Sequence, residues 1–107
     1  MVTIKWEPSA WQLFNDYIEN AKIEFGKKTG LRWVNDALHI YERLQLFPES
    51  YPPEELLLGR TPLYRRFHIM GKRFTLIYYY DEAENIVHIV DVWDTKMNPK
   101  TLIRRIK

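Results

Sequence analysis

The sequence predicts an α+β fold: an N-terminal strand, then an antiparallel helical hairpin packed on a mainly antiparallel sheet. The order is β-α-α-β-β-β, with a short C-terminal helix after it. Three observations predict this. Apolar residues recur at helical spacing through the first half of the chain. β-branched and aromatic residues crowd the second half, in runs parted by short polar turns. Helices first and strands after, joined by short connections, suit a hairpin laid on one sheet face.

Residues 3–7 alternate weakly, carry β-formers and read as a short strand stopped by Pro8-Ser9. Ser9 with Gln12 makes a capping box, in which hydroxyl and amide each satisfy an orphan helix N–H. The helix that follows carries Trp11, Phe14, Ile18, Ala21 and Phe25 on one face. Gly26 suits the position just past a helix end, and Lys27 and Lys28 suit its negative pole. Thr29 is expected to cap a second helix, whose apolar face runs Trp33, Ala37, Ile40, Leu44 with Val34 and Tyr41 beside it. Phe47-Pro48 ends it, because proline has no N–H and biases its predecessor away from helix. A connection of about three residues makes the two helices antiparallel neighbours.

Residues 48–63 contain Pro48, Pro52, Pro53 and Pro62 and read as a loop, with Glu54 to Leu58 suited to a single turn. Tyr64–Ile69 and Arg73–Tyr80 read as strands joined by the short turn Met70-Gly71-Lys72. Asp81–Asn85 is a polar turn, and Ile86–Trp93 the last strand. Met97-Asn98-Pro99 breaks the chain, and Lys100–Lys107 suits a basic helix with Leu102, Ile103 and Ile106 on one side. The helical hairpin covers one sheet face. The other is expected to be open, lined or rimmed by the aromatic and basic residues of the second half.

Composition narrows the function classes. A length of 107 residues suits one domain, expected over 1–107, with a core that needs no staples. The absence of cysteine excludes disulfide and thiol chemistry. No basic-then-apolar leader opens the chain, and no apolar run nears the roughly 20 residues of a spanning helix. A cytoplasmic protein with no membrane partner is the expectation. His39, His68 and His88 lack ligand-like spacing, so no metal is expected. The 4 glycines form no phosphate loop, and Ser9 and Ser50 read as cap and loop residues, so neither cofactor nor serine chemistry is expected. Tyr78, Tyr79 and Tyr80 could stack on bases, although such a run more often alternates between core and surface.

The net charge of +2 is unevenly placed. Residues 1–53 carry 6 Lys/Arg against 7 Asp/Glu, giving −1, and residues 54–107 carry 10 against 7, giving +3. Arg60–Arg73 holds Arg60, Arg65, Arg66, Lys72 and Arg73 without an acid. Lys96–Lys107 holds Lys96, Lys100, Arg104, Arg105 and Lys107, again without one. Such stretches suit an anionic partner, either nucleic acid or an acidic protein segment, or else form a solvated surface.

An ordered set of segments resembles the RelE/ParE toxin superfamily of type II toxin–antitoxin systems. It runs through Pro8-Ser9-Ala10 with Leu13, Tyr17 and Ile18, then Leu44-Gln45-Leu46-Phe47-Pro48-Glu49-Ser50. It continues with Tyr64–Ile69, Phe74-Thr75-Leu76-Ile77-Tyr78 ending in Tyr79-Tyr80-Asp81, and Ile89–Pro99. The resemblance covers nearly the whole chain. It implies a toxin neutralised by a tightly bound antitoxin. RelE-like members cut messenger RNA on the ribosome, whereas ParE-like members are associated with poisoning DNA gyrase. The helical hairpin and the phrase around Phe47-Pro48 resemble the ParE side.

Ribonucleolytic members use basic residues on the sheet and, in many, a C-terminal Tyr or His. The resemblance puts Arg66 and His68 at the basic pair, where charge stabilisation and proton transfer are chemically feasible. Two residues apart on a strand, they share one sheet face. Thr75 stands where these nucleases place an Arg, and a neutral hydroxyl does not replace a guanidinium on phosphate. Asp94-Thr95-Lys96 stands where relatives carry His or Arg, with Lys96 retaining a positive charge. No Tyr or His follows His88.

Three readings result. In the first, the protein is ParE-like and acts by binding an essential target, with DNA gyrase as the candidate. Arg65, Arg66, Lys72, Arg73, Lys96, Arg104 and Arg105 then face the target or the antitoxin. In the second, it is a ribosome-dependent endonuclease of messenger RNA, with Arg66, His68 and Lys96 as catalytic candidates helped by Lys72 and Arg73. In the third, it binds antitoxin but has lost toxicity. Oligomeric state is left open.

Overall fold

The computed structural model describes residues 1–106. Its elements are β1 (Thr3–Trp6), α1 (Pro8–Phe25), α2 (Lys27–Leu46), a short 3-10 turn (Glu55–Leu57), β2 (Arg65–Ile69), β3 (Phe74–Asp81), β4 (Ile86–Asp94) and α3 (Pro99–Arg105). The expected order and α+β class are both present. Lys107, the last residue of the expected C-terminal helix, lies outside the described residues.

The four strands form one sheet in the order β1-β4-β3-β2. β2, β3 and β4 make an antiparallel meander, and β1 pairs in parallel with β4. The helical hairpin packs on one face. Phe14, Ile18, Trp33, Ile40 and Leu44 meet Phe67, Leu76, Tyr78, Ile89 and Val92 there, forming the main core. Between the Ile77–Asp91 and Tyr78–Ile89 pairs, Val90 of β4 is left without a partner on β3, a bulge that bends β4.

The helices start differently from the sequence reading. Pro8 opens α1 and Glu7 stands at the N-cap position, with no side-chain cap. The Ser9–Gln12 capping box does not form, and the Gln12 amide instead donates to Asp16 at 2.9 Å. Two forces displace it. Proline is preorganised for the first helical position. In addition, the Glu7 N–H is held by the Ile89 carbonyl at 2.9 Å, so the end of β1 fixes where the helix begins. Thr29 is likewise no cap, because α2 begins at Lys27 and Gly26 alone joins the helices. Gly26 has φ of 94°, a conformation that turns the chain within one residue.

The buried row of α1 is Ala10, Phe14, Ile18 and Ala21. Trp11 and Phe25, read from sequence as part of that face, are 50% and 71% exposed. Ala10 takes the inward place, and Trp11 lies edge-on to Trp6 with ring centroids 5.3 Å apart. The α2 row of Trp33, Ala37, Ile40 and Leu44 is buried as expected.

The second sheet face is not open as expected. Leu57 from the loop and Leu102 and Ile106 from the C-terminal segment bury a smaller core on Tyr64, Ile77 and Trp93. Ile103 points more outward, at 37% exposed. The 48–63 loop is pinned to the sheet edge. The Arg66 N–H donates to the Pro52 carbonyl at 3.0 Å and the Glu54 N–H to the Tyr64 carbonyl at 2.9 Å. The Tyr78 hydroxyl donates to the Pro48 carbonyl at 2.9 Å, and burial raises its pKa to about 12.

Candidate functional site

Alternation along β2 places Phe67 and Ile69 in the main core and turns Arg66 and His68 to the second face, as the sequence predicts. Arg66 is not free there. Its Nε lies 3.6 Å from a carboxylate oxygen of buried Glu54, and its Nη1 donates to the Pro53 carbonyl at 3.3 Å. Arg65 donates to the Tyr51 carbonyl at 2.8 Å. Both arginines tie the proline loop to the edge strand.

His68 pairs in register with Thr75 on β3, and its Nδ1 lies 2.9 Å from the Thr75 hydroxyl. Thr75 is buried. Partial burial depresses the His68 pKa, and the nearby charges of Arg66 and Lys72 push it the same way, against Glu54. The imidazole is therefore neutral near physiological pH.

Lys72, Arg73 and Lys96 converge at one end of the sheet. The Thr95 N–H and hydroxyl donate to the Arg73 carbonyl at 3.0 and 2.8 Å, joining the β4 end to the turn between β2 and β3. Arg73 donates to both oxygens of Asp94 at 3.1 and 3.3 Å. Burial alone would raise the Asp94 pKa. The Arg73 hydrogen bonds and the Lys96 N–H overcome it and hold the carboxyl below its ordinary value. Lys72 and Lys96 are exposed and enter no ion pair among the described residues.

Arg104 and Arg105 stand on α3, and the Arg105 charge, like that of Arg73, acts to lower the Tyr17 pKa. Arg105 reaches Asp91 of β4 at 3.2 Å, and Arg104 turns back to the Lys100 carbonyl at 3.4 Å. Of the seven candidate basic residues, Arg65, Arg66, Arg73, Arg104 and Arg105 each contact a protein acceptor, while Lys72 and Lys96 face solvent.

Beside the Lys72–Arg73–Lys96 end lies a groove of about 340 Å³ between hairpin and sheet. Tyr17, Trp33 and Phe74 form its aromatic wall, with Phe25 and Met70 at the sides and Arg73 and Asp94 on the rim. Trp33 and Phe74 centroids are 4.4 Å apart, and Tyr17 stacks on Trp33 at 5.9 Å. Burial, then the Asp94 charge, raises the Tyr17 pKa, so its hydroxyl stays protonated. Sequence periodicity places Trp33 in the core and does not single out the groove. The one available signal was Tyr17, three residues past Phe14 on the same helix side.

No group of three or more His, Asp or Glu among the described residues is placed to hold a metal ion. Among the described residues no helix is long and apolar enough to cross a membrane.

The helical hairpin on this sheet is a fold shared with solved structures of bacterial toxins. The chain is similar to a structure of the chromosomal ParDE toxin–antitoxin system from P. aeruginosa, at a TM-score of 0.66 and 15% identity over 88% of this chain and 96% of that one. It is similar to the isolated E. coli RelE toxin at a TM-score of 0.62 and 10% identity, with all of both chains covered. No curated protein matches the sequence. The family model for the ParE toxin of the type II toxin–antitoxin system parDE matches residues 4–99. The chain belongs to the ParE toxin family. That family is the toxin half of a pair, which implies an antitoxin partner.

Proposed function

We propose that this toxin arrests growth by binding an essential target, with DNA gyrase as the candidate, rather than by cutting RNA. A cognate antitoxin neutralises it by seating an apolar anchor in the groove beside Trp33 and Phe74. The observation that supports binding over catalysis is the engagement of Arg66. A guanidinium must be free to clamp a phosphorane, and this one is occupied by Glu54 and the Pro53 carbonyl. Thr75 adds no positive charge beside it. Lys72 and Lys96 steer an acidic antitoxin segment toward the groove, and apolar burial sets the lifetime of the complex. A cytoplasmic location follows from these partners.

One observation favours the nuclease reading. His68 is exposed and neutral, and it sits near Arg66 and Lys72, an arrangement that suits a general base. The double variant Arg66→Ala/His68→Ala separates the two. Binding predicts that the variant still arrests growth with transcripts intact. Transcript cleavage by the wild type that disappears in the double variant would overturn the binding reading.

A further inference from the structure

The outer side of α2 carries apolar residues that the fold does not cover. Leu31, Val34 and Leu38 are 62%, 40% and 51% exposed and follow one another at helical spacing. They lie roughly 90–150° round the helix from the buried row. Thr29 and Trp33, which line the groove, are on a different side, so the stripe is distinct from the proposed antitoxin seat.

Charge brackets the stripe unequally. Lys27 stands before Leu31 and Glu42 stands after Leu38, on the same side of the helix. Both are exposed, and neither enters an ion pair among the described residues. An acidic partner would complement one end of this stripe and be repelled at the other. A second copy running antiparallel complements both.

We propose that α2 docks on α2 of a second copy of this chain, about a two-fold axis between Val34 and Asn35. That axis sets Leu31 against Leu38 of the second copy and Lys27 against Glu42 of the second copy. Each contact occurs twice, as a two-fold interface requires. Antiparallel helices also place opposite dipole ends together. This dimer does not rest on the choice between gyrase and RNA as target.

The chain has no cysteine, which makes the contact directly testable. Asn35→Cys, close to the axis, is expected to give a disulfide-linked dimer under mild oxidation. Glu82→Cys, in the exposed turn between β3 and β4, is expected to give none. Wild-type protein at roughly 100 µM, a concentration suited to a small interface, is expected to have a solution mass near twice 13.0 kDa. Glu42→Lys sets like charges together at both ends and weakens dimerisation roughly tenfold. Adding Lys27→Glu to that variant restores it. A monomeric wild type, cross-linking of Asn35→Cys no greater than that of Glu82→Cys, or no rescue by the second charge reversal would each overturn the proposal.

Discussion

Asp91 and Arg105 form an ion pair of unequal partners, with side chains 4% and 31% exposed. Burial raises the Asp91 pKa, and the Arg105 charge opposes that rise. The folded pKa therefore lies above the unfolded one. The stability that protonated Asp91 contributes is present below the unfolded value and is lost as pH rises through the folded one. Arg105→Ala leaves this carboxylate buried and uncompensated. Its expected cost is about 2–3 kcal/mol at neutral pH, shrinking toward about pH 4, as urea unfolding at the two pH values would read. An equal cost at both would contradict the pairing. His68 has the opposite sign. Its pKa is depressed, so the stability of the neutral ring is present above the unfolded value and is lost as pH falls through the folded one. Its imidazole is expected to titrate below 6.5 by NMR, and Lys72→Ala should move it upward. At this scale the identities of the basic residues were legible in the sequence, but their engagement was not. Arg66 with Glu54, Arg73 with Asp94 and Arg105 with Asp91 join positions on different elements, and only the folded chain brings them together.

The helices show which local signals outrank others. The buried row of α2 follows directly from its apolar spacing. The start of α1 does not follow from its capping box, because Pro8 and the strand bond at Glu7 fix it earlier. Gly26 does as a single residue what an ordinary loop does with several. A Cβ there would meet nothing within 4 Å, so the cost of Gly26→Ala is backbone strain alone. Its φ of 94° and ψ of 174° are essentially reserved to glycine, and thermal or urea unfolding should show a loss of about 1–3 kcal/mol. A neutral substitution would mean that the hairpin tolerates another connection. On the second face, Leu102 is fully buried although it belongs to a helix of only 7 residues. Leu102→Ala is expected to cost about 3 kcal/mol. A loss under about 1 kcal/mol would show that α3 is not a structural part of the smaller core. Coverage of this face was not legible, because short segments such as Glu55–Leu57 and α3 bury their leucines through tertiary contact rather than through a long periodic pattern.

Across the whole molecule, element order was legible because each element has its own pattern and the connections are short. The parallel pairing of β1 with β4 was not, since the partner strand lies at the far end of the chain and no local signal names it. The groove was hidden for the same reason, being assembled from α1, α2 and the turn and strand ends near Arg73 and Asp94. The fold sets a basic end beside an aromatic groove and covers part of the second face with its own loop and terminal helix. This arrangement suits a molecule that binds proteins, with its arginines serving mainly as internal ties. The most direct test is induced expression in a bacterial host, with transcript integrity and plasmid supercoiling followed together. A toxin that binds gyrase is expected to give growth arrest with intact transcripts and altered supercoiling or DNA breaks. Growth arrest with rapid transcript cleavage and unchanged supercoiling would contradict this reading.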